Sequence, residues 1–132
     1  LNEFVSRYPK SEYTPHAKQR MVYLRNLLAQ HEINIAEYYL LRRAYIASIT
    51  RAKYVIEHLP KAPQTPRALD ILITSYEKLG HQNLAEKNKS VLKLNFPNYK
   101  LTNTLDKTKK RSWLNTLSLG IIKNKEIPRP SL

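Results

Sequence analysis

Two blocks of sequence, each closed by proline and set 37 residues apart, constrain this chain more than any other feature. The first runs through Ala36, Tyr39, Tyr45, Ser48 and Val55 to Pro60, and the second through Ile73, Tyr76, Gln82, Ala85 and Leu92 to Pro97. Each places an aromatic midway along a first helical stretch, a small residue early in a second, and a proline where the second must stop. Such a unit is a helical hairpin with one apolar face. It cannot bury that face alone, so it stacks on neighbours and builds an extended binding surface.

The offset is close to the period of about 34 residues that marks a tetratricopeptide-type repeat. The predicted fold class is therefore all-α: a tetratricopeptide-type helical solenoid of antiparallel helix pairs, followed by a basic, partly disordered C-terminal tail. Only two glycines occur, and good helix formers dominate the composition. The absence of cysteine excludes disulfide staples, thiolate metal ligands and a cysteine nucleophile. Residues 1–97 are expected to hold the end of a preceding repeat and then two repeat units. Leu1 to Pro9 read as the end of a helix already under way, so the chain is expected to be a C-terminal fragment of a longer protein.

Helix boundaries follow from local signals. Thr14-Pro15 and Thr65-Pro66 each predict a helix start, with threonine as N-cap and proline in the first turn. Either one nearly continuous helix runs from about Pro15 to Arg43, the favoured reading, or two meet near His31, with Met21, Leu24, Leu28 and Ile35 on the apolar side. A second, Tyr45 to His58, should pack back through Ile46, Ile49, Val55, Ile56 and Leu59. A third, Pro66 to Leu79, should bury Leu69, Leu72, Ile73 and Tyr76 before Gly80 ends it in the left-handed region. A fourth, Asn83 to Asn95, uses Leu84, Val91, Leu92 and Leu94. Residues 98–132 read as a basic linker and tail with a short apolar segment at 112–122.

The net charge of +13 is uneven, with +7 on residues 1–97 and +6 on the much shorter 98–132. A basic balance attracts nucleic acid, anionic lipid and acidic protein alike. No apolar run is long enough to span a bilayer. The four histidines stand far apart, and no metal-ligand spacing, phosphate loop or nucleophile elbow occurs, so the reading is non-enzymatic with no cofactor and no metal. Three features remain for binding. Arg51 lies on the helix face opposite Ile49 and Ile56, with Tyr54 and Glu57 following, where it can grip a partner carboxylate or pair with a nearby glutamate. Tyr38 can line a groove, whereas Tyr39 and Tyr76 suit repeat packing. In the tail, Trp113 and Leu117 are candidates for membrane or partner contact behind Lys109, Lys110 and Arg111.

Ala36-Glu37-Tyr38-Tyr39, Ala44-Tyr45-Ile46-Ala47, Arg51-Ala52, Val55-Ile56-Glu57 and Tyr8-Pro9-Lys10-Ser11-Glu12-Tyr13 together resemble the C-terminal repeats of the BamD family. Thr65-Pro66-Arg67-Ala68-Leu69 and Tyr76-Glu77-Lys78-Leu79-Gly80 fit the same pattern, so the likeness covers residues 1 to about 97. These proteins are tetratricopeptide lipoproteins of the outer-membrane β-barrel assembly machinery. The resemblance implies a scaffold at the periplasmic face of the bacterial outer membrane, tethered by an N-terminal lipid anchor absent from this fragment. It implies docking on the POTRA domain of the barrel-forming subunit, contact with the other assembly-machinery lipoproteins, and unfolded outer-membrane proteins as clients. Arg51 matches a position that pairs with a POTRA carboxylate; Tyr54, Glu57, Arg42 and Arg43 are placed beside that contact by geometry alone. The family often has glycine where this chain has Arg43, so that turn is expected to depart from left-handed geometry. The competing reading is a basic helical-repeat nucleic-acid-binding protein, against which no base-reading pair recurs at the repeat period.

Overall fold

The computed structural model describes residues 2–102, and all described regular structure is helical. The elements are α1 (Asn2–Arg7), α2 (Thr14–Leu41), α3 (Tyr45–His58), α4 (Thr65–Lys78) and α5 (Gln82–Asn95). Helices α2, α3 and α4 each pack on the next, and α4 also reaches back to α2. Residues up to Leu101 form one compact unit. Trp113 and Leu117 lie outside the described residues, as does the rest of the apolar segment at 112–122.

Long helix α2 is continuous past His31, as expected. Its front and rear differ sharply. Ala29, Ile33, Ala36 and Leu40 are buried, whereas Leu24 and Leu28, expected on the apolar side, are exposed with Val22 and Leu27. The reason is length. Helix α3 is 14 residues against 28 for α2, so it covers only the rear half, and the front meets little besides short α1.

The helix starts also need correction. Thr14 and Thr65 are the first residues of their helices, and neither preceding residue caps with its side chain. Their hydroxyls donate backward instead: Thr14 Oγ1 to the Tyr8 carbonyl at 2.7 Å, and Thr65 Oγ1 to the Ala62 carbonyl at 2.9 Å and Pro60 at 3.1 Å. The hydroxyls thus add second bonds to the Tyr8 and Ala62 carbonyls, which already accept the Ser11 and Thr65 backbone N–H groups.

Both repeat turns have the same backbone. Gly80 adopts φ +79°, its N–H meeting the Glu77 carbonyl while the His81 N–H meets Tyr76. Thirty-seven residues earlier, Arg43 adopts φ +62° with the matching bonds, Arg43 to Leu40 and Ala44 to Tyr39. The expectation that arginine would pull this turn out of left-handed geometry is wrong. The paired hydrogen bonds impose it, at a cost of about 1 kcal/mol for a residue with a Cβ. The helix ends repeat as well, with Leu59 bonding to Val55 and Phe96 to Leu92 immediately before each proline.

Leu69, Ile73 and Leu92 form a core cluster against which Ile56, Phe96 and Tyr99 pack. Helix α4 is the most enclosed element, and Leu69, Leu72, Ile73 and Tyr76 are all buried as expected. Two expectations fail at the edges. Ile46 is 66% exposed at the start of α3, and on α5 only Leu92 of the four expected apolar residues is buried, with Leu94 83% exposed. Among the described residues α5 packs chiefly on α4, so Leu84, Val91 and Leu94 find little to pack on.

Candidate protein-interaction site

Helix α3 carries the site, and its phase decides what is presented. Ser48, Ile49, Ala52 and Val55 face inward, anchored by a hydrogen bond from Ser48 Oγ to the Ala36 carbonyl of α2 at 2.8 Å. With that side fixed, Thr50, Arg51, Lys53, Tyr54, Glu57 and His58 line an open groove of about 630 Å³ whose inner wall is Glu32 of α2. Arg51, Tyr54 and Glu57 therefore come together as predicted from their spacing.

Within the groove Arg51 Nη1 donates to Glu32 Oε2 at 3.2 Å. The arginine side chain is 44% exposed and the glutamate only 11%. One edge of the guanidinium is thus held from behind by a sheltered carboxylate. The remaining N–H groups have no partner among the described residues, and a bidentate fork leaves them available to a second acceptor. Tyr54 and His58 stack with ring centroids 4.5 Å apart, giving the groove an aromatic floor beside the cation. Such a mixture of aromatic and arginine groups is what protein-binding hot spots use.

Arg42 and Arg43 do not join this groove. They sit at the α2–α3 turn, about 12 Å away along the axis of α3 at 1.5 Å per residue. There the Arg42 guanidinium lies 4.6 Å over the Tyr38 ring, and Tyr38 meets Tyr39 edge-on. Tyr38 is exposed and Tyr39 half-buried, while Tyr76, the repeat equivalent of Tyr39, is buried.

Two polar features escaped the sequence. Glu32 lies 19 residues before Arg51 and on another helix, so no local spacing reveals the pair. The second is a network behind the site: Arg67 binds Glu37 at 2.7 Å and Asp70 at 3.1 Å, and the Tyr99 hydroxyl donates to Asp70 at 3.1 Å. Asp70 is only 2% exposed, so these partners satisfy a charge that would be costly alone. Burial by itself would lower the Arg67 pKa; its bonds to Glu37 and Tyr99 and the charges of Glu37 and Asp70 outweigh that and raise it. The network ties α2 to α4 and pins the segment following α5.

A slightly larger hollow of about 690 Å³ lies at the front of α2, lined by Asn2, Lys18, Met21, Val22, Leu24 and Arg25. It reflects the uncovered helix face, and among the described residues no carboxylate, histidine or hydroxyl lines it. Among the described residues no group of three or more histidine, aspartate or glutamate side chains could hold a metal ion, and no helix is long and apolar enough to cross a membrane.

Stacked helical hairpins with a charged aromatic groove on α3 define a helical-repeat protein. Its family is settled by comparison: residues 1–92 match the outer membrane lipoprotein family YfiO, and the chain belongs to that family. It is similar to the outer membrane protein assembly factor BamD of Xylella fastidiosa strain Temecula1, at 39% identity over 95 residues. The same factor from Neisseria meningitidis serogroup A is 40% identical and that from Vibrio cholerae 33%, again over 95 residues. These alignments take in 72% of this chain but only 32%, 36% and 39% of the respective relatives, so the chain spans about a third of their length.

Proposed function

We propose that this chain is the partner-docking repeat segment of an assembly factor that supports insertion of β-barrel proteins into the outer membrane. It acts without catalysis, by gripping the POTRA domain of the barrel-forming subunit. The observation that carries this reading is Arg51, held along one edge by Glu32 and open along the other, beside Tyr54 and His58. A POTRA carboxylate takes the free edge, with Tyr54 supplying apolar contact and Glu57 closing the rim against a partner cation. The internal pair is half-exposed and worth no more than about 1 kcal/mol, so it orients the guanidinium without committing it. The other assembly-machinery lipoproteins and unfolded outer-membrane proteins are further partners on this reading, as is an upstream lipid anchor at the periplasmic face.

The nucleic-acid reading gains nothing from the fold. Among the described residues Arg67 and Lys89 are each engaged by two carboxylates. Calorimetric titration of the chain against the POTRA domain nearest the barrel tests the proposal. Micromolar binding is expected, with Arg51→Glu weakening it at least 100-fold because two carboxylates then oppose each other. Equal binding by the wild type and a folded Arg51→Glu chain would overturn the assignment.

A further inference from the structure

The α2–α3 turn is built differently from its counterpart in the next repeat, and the groove does not account for the difference. Arg43 holds a left-handed conformation that Gly80 adopts without strain at the equivalent position. Around it Tyr38, Leu41, Arg42 and Ile46 are all exposed. Their equivalents in the second repeat are Ser75, Lys78, Leu79 and Asn83. There Ser75 is buried, Leu79 is half-buried, and the exposed positions are the polar Lys78 and Asn83. The second turn thus has the ordinary solvated design, whereas the first exposes one aromatic, two aliphatics and two arginines within nine residues.

We infer that the α2–α3 turn is a membrane-contact tip that seats on an anionic phospholipid surface. The chemistry fits a bilayer interface. Arginines reach lipid phosphates while tyrosine and aliphatic side chains enter the boundary between headgroups and acyl chains. Arg42, stacked on Tyr38, presents its charge at the same point as the ring. Strain at Arg43 is tolerated because a second cation at the apex adds attraction that glycine cannot. Membership of an outer membrane lipoprotein family places the chain beside such a surface, so the inference rests on the family and not on POTRA docking. The tip and the groove are about 12 Å apart along α3 and share no residue.

Flotation of the full chain with vesicles of phosphatidylcholine alone, or with about a third phosphatidylglycerol, tests this. Binding is expected only to the anionic vesicles. Arg43→Gly should weaken it about fivefold while leaving thermal stability equal or higher, and Arg42→Gln with Arg43→Gly about 25-fold, at about fivefold per arginine. Ile46→Asn, which installs the residue of the second repeat, should weaken it three- to tenfold through lost apolar contact. The basic tail could bind vesicles by itself, so the same ratios are measured with Lys109, Lys110 and Arg111 changed to glutamine, and they should persist. Folded turn variants that float like the wild type in both backgrounds would overturn the inference. So would a loss of POTRA binding by these variants with flotation unchanged, since the tip would then fit an acidic protein surface.

Discussion

The two hairpins, α2–α3 and α4–α5, share a backbone and differ in what surrounds it. Ile49, Ala52 and Ile56 of α3 correspond at the 37-residue offset to Glu86, Lys89 and Lys93 of α5. On α3 that side turns toward α4, where Ala52 is fully buried and Ile56 joins the core cluster. On α5 it meets no further helix among the described residues. Lys89 instead bridges Glu77 at 2.8 Å and Glu86 at 2.9 Å. One hairpin therefore passes an apolar face to the next helix, whereas the other, among the described residues, presents a charged face in its place. Secondary structure repeats because turns and prolines repeat; the role of each unit is set by three side chains on one helix.

Exchanging residues between the hairpins should expose this division. Ala52→Lys, which gives α3 the residue of α5, should be the most damaging: a buried cation with no space or partner costs more than about 3 kcal/mol, read as a large fall in the urea midpoint. The turns come next. Gly80→Ala should lose about 1 kcal/mol through its positive φ alone, since a Cβ there meets nothing within 4 Å. Arg43→Gly should gain about 1 kcal/mol, and opposite shifts in melting temperature would confirm that the turns are equivalent. If both lowered it, they would not be.

Smaller effects sharpen the picture. Ser48→Ala copies Ala85 and removes the bond to the Ala36 carbonyl. A loss of about 1 kcal/mol is expected, because that carbonyl sits within α2 and keeps its helical partner. Lys89→Ala should cost least, under about 1 kcal/mol for exposed pairs. Hydrogen bonds to Glu77 and then Glu86 raise the Lys89 pKa. Its contribution is accordingly full below the ordinary lysine value and fades as pH climbs through the raised one. Titration from pH 8 to 11 should show a small alkaline loss that the alanine variant lacks.

How much of this was legible in the sequence depends on range. Helix bounds were readable because proline, glycine and the apolar period act locally, and Tyr45 to His58 emerged as drawn. Burial was less so. Leu94 and Leu24 fit an apolar stripe as well as Leu92 does, but whether a neighbour exists to cover the stripe is a property of the stack. Arg51, Tyr54 and Glu57 were grouped correctly because one helix carries them. Glu32, which sets the arginine's orientation, stands on a different helix and was invisible. Arg43 runs against its residue type because two backbone hydrogen bonds, which no side-chain preference reveals, fix the turn.

The uninterrupted course of α2 has a mechanical consequence. At 1.5 Å per residue it is a rod about 42 Å long, with α1 at one end and the α2–α3 turn at the other. Buried Ile33, Ala36 and Leu40 clamp its rear half into the stack, and among the described residues its front half packs chiefly on α1. A rigid tilt of the whole rod by about 10° about its α2–α3 end would sweep the α1 end through about 7 Å. Any load borne by the tip or the groove would therefore reach the opposite end of the rod as displacement, with no hinge between them to absorb it.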